Sequence, residues 1–252
     1  MFTNNPFAAL IDFLSPLTIQ VYALLMIAVV IFGTLFDAYH KGSARYFALR
    51  KEKANAAAER QLDGGERFSL AVATVAEAAV SGEFCKWPRR LSHLLMMYGF
   101  ILYLVTTLIM VFGYLGAPST PAILPTLWTI GALMIIAGGV WFFFFLRVNV
   151  AYDGDSPLHV GRADLFVLSL LLSILFALLW HFMQTTYGHT LATHILFGVY
   201  VFFTTFLFLT VPWSKFAHMF YKPTVAYQRR VEAANGSSDI PRPSAENFIV
   251  RN

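Results

Sequence analysis

Two histidines of this sequence lie beside basic residues at the ends of long apolar runs. His93 follows Arg89 and Arg90 where one run begins, and His218 follows Lys215 where the last run ends. Neutral imidazole is a common axial ligand of haem iron, and two imidazoles leave no open coordination position, which suits electron transfer. Basic side chains beside them can pair with the anionic haem propionates. The pattern predicts one haem, with His93 and His218 as its iron ligands.

Other histidines leave alternatives open. His194 lies about one turn into the last apolar run, and His181 lies about two turns before the end of the preceding run, so the two have similar depth. They are candidates for the ligands of a second haem. His40, at the end of the first run, can replace either ligand of the first haem. Any one of these histidines can instead cap a helix or reach the membrane surface.

A quinone site needs an apolar slot with one or two groups that hydrogen-bond to the quinone carbonyls and exchange protons. Gln184 and His189 lie close to His181 in the sequence, and this group is the predicted quinone site. Arg162 and Asp164, at the other end of the same run, are the alternative. We interpret that second pair as an ion pair at a helix start.

The elements that must position these residues are membrane helices. Hydrophobic residues make up 58% of the 252 residues and charged residues only 13%, against about 25% charged in an average soluble domain. Five apolar runs approach the roughly 20 residues that a membrane-spanning helix needs. We predict an all-α integral membrane protein with a five-helix domain over residues 1–231 and a polar tail over 232–252. The predicted spans are residues 19–38, 91–115, 124–146, 163–186 and 191–213.

The basic residues predict the orientation. All 18 Lys and Arg residues fall on one side of the five spans, and that side is cytoplasmic by the positive-inside rule. The N-terminus is then outside and the C-terminus is cytoplasmic. The net charge of +4 reflects this topology and contact with lipid headgroups, and nucleic-acid binding is not expected. One cysteine, Cys85, excludes an internal disulfide and a cluster ligated by cysteines of this chain alone.

The predicted cytoplasmic insert over residues 41–90 contains two amphipathic segments. Residues 45–61 predict a helix because they are rich in Ala, Glu, Lys and Arg. Asp63-Gly64-Gly65 predicts a break. Residues 67–80 predict a short helix in the membrane interface or under a partner. The tail from Glu232 predicts an extended or disordered segment.

Two stretches resemble the five-helix cytochrome b subunits of respiratory complexes. These include the nitrate reductase gamma subunit and the membrane subunits of heterodisulfide reductase, of the sulfite-reduction-associated complex and of the quinone-interacting membrane-bound oxidoreductase complex. One stretch is residues 68–107, an amphipathic segment followed by Arg90, His93, Gly99-Phe100 and Thr106-Thr107; the more specific one is Pro212-Trp213-Ser214-Lys215-Phe216-Ala217-His218. The resemblance implies a multi-pass protein of a bacterial or archaeal cytoplasmic membrane, with His93 and His218 on the haem nearest a cytoplasmic partner.

One departure from this group concerns its outer haem. The nitrate reductase gamma subunit carries a further histidine on its second span, about three turns on, and another on its last span, about five turns before the inner one. This chain has Tyr103 and Tyr200 there. Either His181 and His194 replace the missing ligands, or the chain holds one haem or none.

The resemblance implies a haem b subunit that relays electrons between a cytoplasmic iron–sulfur or flavin redox subunit and membrane quinone. In its short length the chain is similar to the membrane anchor linked to adenylylsulfate reductase in sulfur-oxidising bacteria. The alternative is a haem-free anchor that docks a peripheral redox enzyme on the membrane. The sequence shows no nucleophile–base set, phosphate loop or metal–thiolate set, so we expect no substrate chemistry from this chain alone.

Overall fold

The computed structural model describes residues 3–40, 42–82, 84, 86–147, 160–161, 164–214 and 218–238. These residues form helices and turns and contain no strand. The helices are α1 (Pro16–His40), α2 (Ser43–Ala56), α3 (Gly64–Ala79), α4 (Trp87–Gly113), α5 (Ile123–Trp141), α6 (Leu165–Tyr187), α7 (Leu191–Thr210) and α8 (His218–Asn235). A π-turn, Phe142–Leu146, extends α5, and a 3₁₀ turn, Val211–Trp213, extends α7.

Five of these helices are long and apolar enough to cross a membrane, namely α1, α4, α6, α7 with its 3₁₀ turn and α5 with its π-turn. The predicted number of spans is confirmed, and the chain is a multi-pass membrane protein by this criterion. Helices α1 and α4 begin about one turn before the predicted spans. Pro16 opens α1 and Pro88 lies in the first turn of α4, where the fixed φ of proline favours helix and its missing N–H costs nothing.

The chain folds as two compact units. The first, here called the span unit, comprises the described residues of 1–37 and 80–217. The second, here called the polar unit, comprises the described residues of 38–79 and 218–252. The predicted insert therefore divides near residue 80, and α8 shares a unit with α2 and α3.

Helices α4 and α5 of the span unit pack backbone against backbone at glycines. A Cβ at Gly131 would lie 2.8 Å from the carbonyl oxygen of Gly99, and a Cβ at Gly99 would lie 2.8 Å from that of Gly131. About two turns away along both helices, the hydroxyl of Ser92 donates to the Gly138 carbonyl at 2.8 Å. Membrane helices associate through such small residues because lipid supplies no hydrophobic force between them. This contact fixes the position of the α4 segment that carries His93.

The N-terminal residues cover one end of the span unit. Asn5 donates to the Thr120 hydroxyl at 3.1 Å, in the link between α4 and α5. The carboxylate of Asp12 lies 3.0 Å from His189, in the link between α6 and α7. Leu10 between them is fully buried. The two links that lack basic residues therefore lie at the same end as the N-terminal segment.

Helix α3 begins earlier than predicted because Asp63 caps it. The Asp63 carboxylate accepts from the Glu66 N–H at 2.7 Å, and the Glu66 carboxylate accepts from the Asp63 N–H at 3.1 Å. This reciprocal capping box satisfies two backbone donors that have no partner within the helix. The Asp63-Gly64-Gly65 sequence thus starts α3, and the break before it is longer than predicted because α2 ends at Ala56.

The prediction of an extended segment from Glu232 is wrong for residues 232–235, which complete α8. Glu232 and Asn235 are buried, and Arg60 donates to the Ala234 carbonyl at 3.0 Å. Gly236 ends the helix with a φ of +84°, a conformation that glycine adopts without steric cost. Residues 239–252 of the predicted tail lie outside the described residues.

Acid is expected to loosen the polar unit through Glu232. Arg50 donates to both carboxylate oxygens, at 3.0 and 2.8 Å, and this hydrogen bonding holds the pKa of the Glu232 carboxyl below its ordinary value of 4.5. A carboxyl with a depressed folded pKa stabilises the fold above its unfolded pKa and loses that contribution as the pH falls through the folded pKa. The loss is about 1 kcal/mol for such a pair, or roughly fivefold more frequent opening of α8.

Hydrogen exchange of α8, corrected for intrinsic rates and compared between about pH 6 and about pH 3.5, measures this effect. Glu232→Gln should abolish the pH response, while the matched change Glu52→Gln, at an exposed position on α2, should retain it. An unchanged response in Glu232→Gln would show that another group controls the acid sensitivity.

Candidate functional site

His93 lies in the first turns of α4 with a defined partner for one ring nitrogen. Its Nδ1 is 2.8 Å from the hydroxyl oxygen of Ser81. The ring is half-buried and lies 4.9 Å, centroid to centroid, from that of Phe84. When Nδ1 carries the proton and donates it to Ser81, Nε2 carries the lone pair. This is the arrangement that orients metal-binding histidines in proteins.

Ser81 adopts an unusual conformation to make this contact. Its φ is +50°, the one positive value among the described residues other than glycine, and only 2% of its surface is exposed. Such a conformation costs of order 1 kcal/mol and persists where surrounding contacts impose it. The guanidinium of Arg90 donates to the Val80 carbonyl at 2.8 Å. Arg90 therefore braces the turn that carries Ser81, a role that differs from the predicted pairing with a propionate.

The other residues predicted for the inner haem are described only in part. Arg89 is exposed on the first turn of α4. His218 is the first residue of α8, in the polar unit, and its side chain lies outside the described part of the structure. Lys215 lies outside the described residues. His40 is exposed at the end of α1.

Two of the other predicted histidines meet at the end of the span unit that the N-terminal segment covers. The rings of His189 and His194 are 6.0 Å apart, and the ring of Phe13 packs on His194 at 4.7 Å. His194 Nδ1 is 2.8 Å from the Thr190 carbonyl of its own helix, and His189 contacts Asp12. The cap of α7 is the Thr190 hydroxyl, which accepts from the Thr193 N–H at 3.3 Å, so His194 bonds the first turn without capping it.

His181 and Gln184 lie in different surroundings. They are one turn apart on α6, and both are buried. The His181 ring stands edge-on to Trp128 of α5 at 5.8 Å, whereas His194 packs on Phe13. The Gln184 side-chain nitrogen is buried without a hydrogen-bond partner among the described residues. His181 and His194 thus have different aromatic neighbours, and their binding of a second haem stays a prediction.

Asp164 has a partner other than the one predicted. Its carboxylate pairs with Arg147, just beyond the π-turn, and accepts from the Gly161 N–H at 3.0 Å. The Arg147 guanidinium also lies 4.5 Å above the Phe143 ring. Asp164 therefore does form an ion pair at the start of α6. Arg162 lies outside the described residues.

A cavity of about 240 Å³ lies between α1, α4, α6 and α7 in the span unit. None of His181, Gln184, His189 and His194 lines it. Tyr103 and Tyr200 line this cavity side by side, with their hydroxyl oxygens 3.4 Å apart. They occupy the positions where the resembled group carries histidines. Trp128 stacks on Tyr103 at 5.0 Å, and Trp180 stacks on Tyr200 at 5.7 Å.

No protein-family model, curated protein or solved structure matches this chain. The function therefore depends on the geometry of the sites. Among the described residues, no three His, Cys, Asp or Glu side chains are grouped as ligands of a bare metal ion. A haem needs only two axial ligands, and Nδ1 of His93 has a hydrogen-bond partner of the kind that fixes the tautomer of ligating histidines.

The sequence did not reveal two features of these sites. Ser81 gave no signal, because a serine in a polar link is ordinary and its positive φ depends on tertiary contacts. Tyr103 and Tyr200 stand out in the sequence only as replacements for histidine. Tyrosine hydroxyls within apolar runs are a usable signal, since buried hydroxyls need partners. Their meeting depends on how α4 and α7 are rotated, which the sequence alone does not give.

Proposed function

We propose that this chain is the haem b subunit of a membrane oxidoreductase complex, and that it relays electrons between a cytoplasmic redox subunit and quinone. The observation that carries the proposal is His93, whose Nδ1 lies 2.8 Å from Ser81 in a turn held in a strained conformation. Backbone strain is often kept where function requires a fixed side chain. His218 is proposed as the second iron ligand from the sequence. When bound, the haem supplies one-electron transfer.

The residues around His93 have separable tasks in this proposal. Ser81 selects the ring tautomer and fixes the ring plane, and Phe84 limits access of water to one side of the ring. Arg90 holds the backbone of the turn. Arg89, which is exposed, and Lys215 remain the candidate partners for the propionates. The partner would be an iron–sulfur or flavin subunit, such as adenylylsulfate reductase, bound to the predicted cytoplasmic face.

The first test is haem content and quinol reactivity of the purified chain. We expect one b haem per chain by reduced-minus-oxidised spectroscopy and pyridine haemochrome analysis. We also expect reduction of that haem by decylubiquinol without any partner protein. A folded preparation without haem would overturn the cytochrome proposal and favour the haem-free anchor. A haem that dithionite reduces but decylubiquinol leaves oxidised would overturn the quinone link.

A further inference from the structure

The cavity between α1, α4, α6 and α7 has the lining of a binding site for a neutral molecule. Its wall contains no Asp, Glu, Lys, Arg, His or Cys. The wall does not suit the bis-histidine haem of the proposed function, because it offers neither an imidazole for the iron nor a cation for the propionates. At about 240 Å³ the cavity exceeds the roughly 150 Å³ that admits benzene into an apolar protein interior. A substituted six-membered ring therefore fits.

Hydroxyl groups are the polar part of this wall, and most of them have good partners in the protein. Five of the seven are hydrogen-bonded at 3.0 Å or less: Thr18 to Ser15, Tyr22 to Thr205, Thr107 to Trp128, and Ser173 to Thr204. The remaining two belong to Tyr103 and Tyr200. Tyr103 donates to Tyr200 across 3.4 Å, and their further partners, Trp128 for Tyr103 and Thr204 for Tyr200, make their own shorter bonds to Thr107 and Ser173. Hydroxyl pairs prefer about 2.7–2.8 Å. This pair can therefore gain more than the others from an additional acceptor.

The two tyrosine rings are held in place independently of any ligand. Trp128 stacks on Tyr103 and Trp180 on Tyr200, and both tryptophans are fully buried. The hydroxyls are thus fixed side by side at an apolar wall. A carbonyl oxygen has two lone pairs and can accept from both, if the Tyr103 proton exchanges its long bond to Tyr200 for one to the ligand. Fixed donors that converge on an apolar cavity are the usual means by which proteins orient a mainly apolar ligand.

We infer that this cavity binds the ring of a membrane quinone, with one quinone carbonyl accepting hydrogen bonds from Tyr103 and Tyr200. The site differs from the predicted group of His181, Gln184 and His189, which does not line the cavity. A lipid acyl chain is the competing occupant, since it needs the apolar wall but not the hydroxyls. The choice of a quinone over other ring compounds rests on the proposed function.

Binding of decylubiquinone and of decylbenzene to the purified wild-type protein distinguishes these occupants. The two probes share a ring and a ten-carbon tail, but only the first has carbonyls. Quenching of the emission of the buried tryptophans reports decylubiquinone, and competition against it reports decylbenzene. Each hydrogen bond contributes a factor of roughly two to twelve. We therefore expect the combined Tyr103→Phe and Tyr200→Phe variant to raise the Kd for decylubiquinone about tenfold or more, and to leave that for decylbenzene unchanged.

Tyr22→Phe is the matched control. Tyr22 lines the same cavity, but its hydroxyl is bonded to Thr205 at 2.9 Å, so its loss should change the Kd less than about twofold. If the double variant does not fold, Ala23→Phe on α1 fills the cavity instead and should weaken both probes. Equal affinity for the two probes, or an unchanged Kd in the double variant, would overturn the quinone site and favour an acyl chain.

This result is separable from the proposed function. Binding is measured by tryptophan emission and needs no haem. If the purified protein contains no haem but binds decylubiquinone in a way that depends on the two tyrosines, the quinone site is supported and the haem proposal is overturned. If decylubiquinol reduces the haem but the tyrosine variants bind decylubiquinone as tightly as the wild type, the haem proposal is supported and the quinone site at Tyr103 and Tyr200 is overturned.

Discussion

His93→Ala is expected to remove the b haem from the purified protein altogether. An alanine offers no lone pair to iron, and the single axial bond that then remains, from His218 in this proposal, is not expected to hold the haem through purification. The absorbance bands of the reduced haem should therefore be absent, while far-ultraviolet circular dichroism and the elution volume stay unchanged. His40→Ala serves as the comparison, because His40 is the alternative inner ligand. Wild-type haem content in His93→Ala would disprove the ligand assignment.

Ser81→Ala separates orientation of the ring from ligation. It keeps His93 and removes only the hydroxyl at 2.8 Å from Nδ1. Loss of such an outer partner typically lowers affinity for the metal about 10- to 100-fold. The variant should therefore purify with haem but release it faster to an excess of apomyoglobin. A release rate equal to that of the wild type would mean that the Ser81 contact is structural alone.

Gly131→Leu is expected to cause the largest loss of stability in the span unit. The new side chain would begin 2.8 Å from both the Gly99 carbonyl and the backbone nitrogen of Tyr103. Backbone of α4 cannot move aside as a flexible side chain can, so the helices must separate. Overpacking of this kind costs about 3 kcal/mol, which corresponds to a Tm lower by roughly 6–12 °C for a chain of this size.

Gly198→Leu is the matched control for this prediction. Gly198 lies within α7, is exposed, and has no atom within 4 Å of the position of a Cβ. The same substitution there should leave the Tm unchanged or raise it slightly, because glycine is a poor helix former. Thermal unfolding of both variants in one detergent, followed by tryptophan emission, provides the comparison. Similar losses in both would indicate that leucine is harmful for reasons unrelated to the contact of α4 with α5.

The sequence predicted the elements of the span unit well because hydropathy and length are properties of single helices. All five predicted runs are helices, and their ends differ mainly where a proline opens the helix. The polar unit was predicted less well. The capping box of Asp63 and Glu66 and the burial of Glu232 depend on contacts between segments far apart in the chain.

The sites show the same division. The depth of a residue along a helix follows from the sequence, and His181 and His194 were predicted to have similar depth. The direction in which each side chain leaves its helix does not follow from the sequence: His181 packs on Trp128 and His194 on Phe13. The contact of His93 with Ser81 was beyond prediction because it depends on a turn with positive φ.

The π-turn at the end of α5 makes the ion pair of Arg147 with Asp164 depend on the number of residues in the Phe142–Phe145 tract more than on which apolar residues they are. The Arg147 N–H bonds the carbonyl of Phe142, five residues back, at 2.9 Å. A regular helix one residue shorter would rotate Arg147 by about 100° and carry its guanidinium away from Asp164. The tract Phe142–Phe145 therefore acts as a spacer: exchange of one phenylalanine for another apolar residue preserves the ion pair, whereas deletion of any one breaks it.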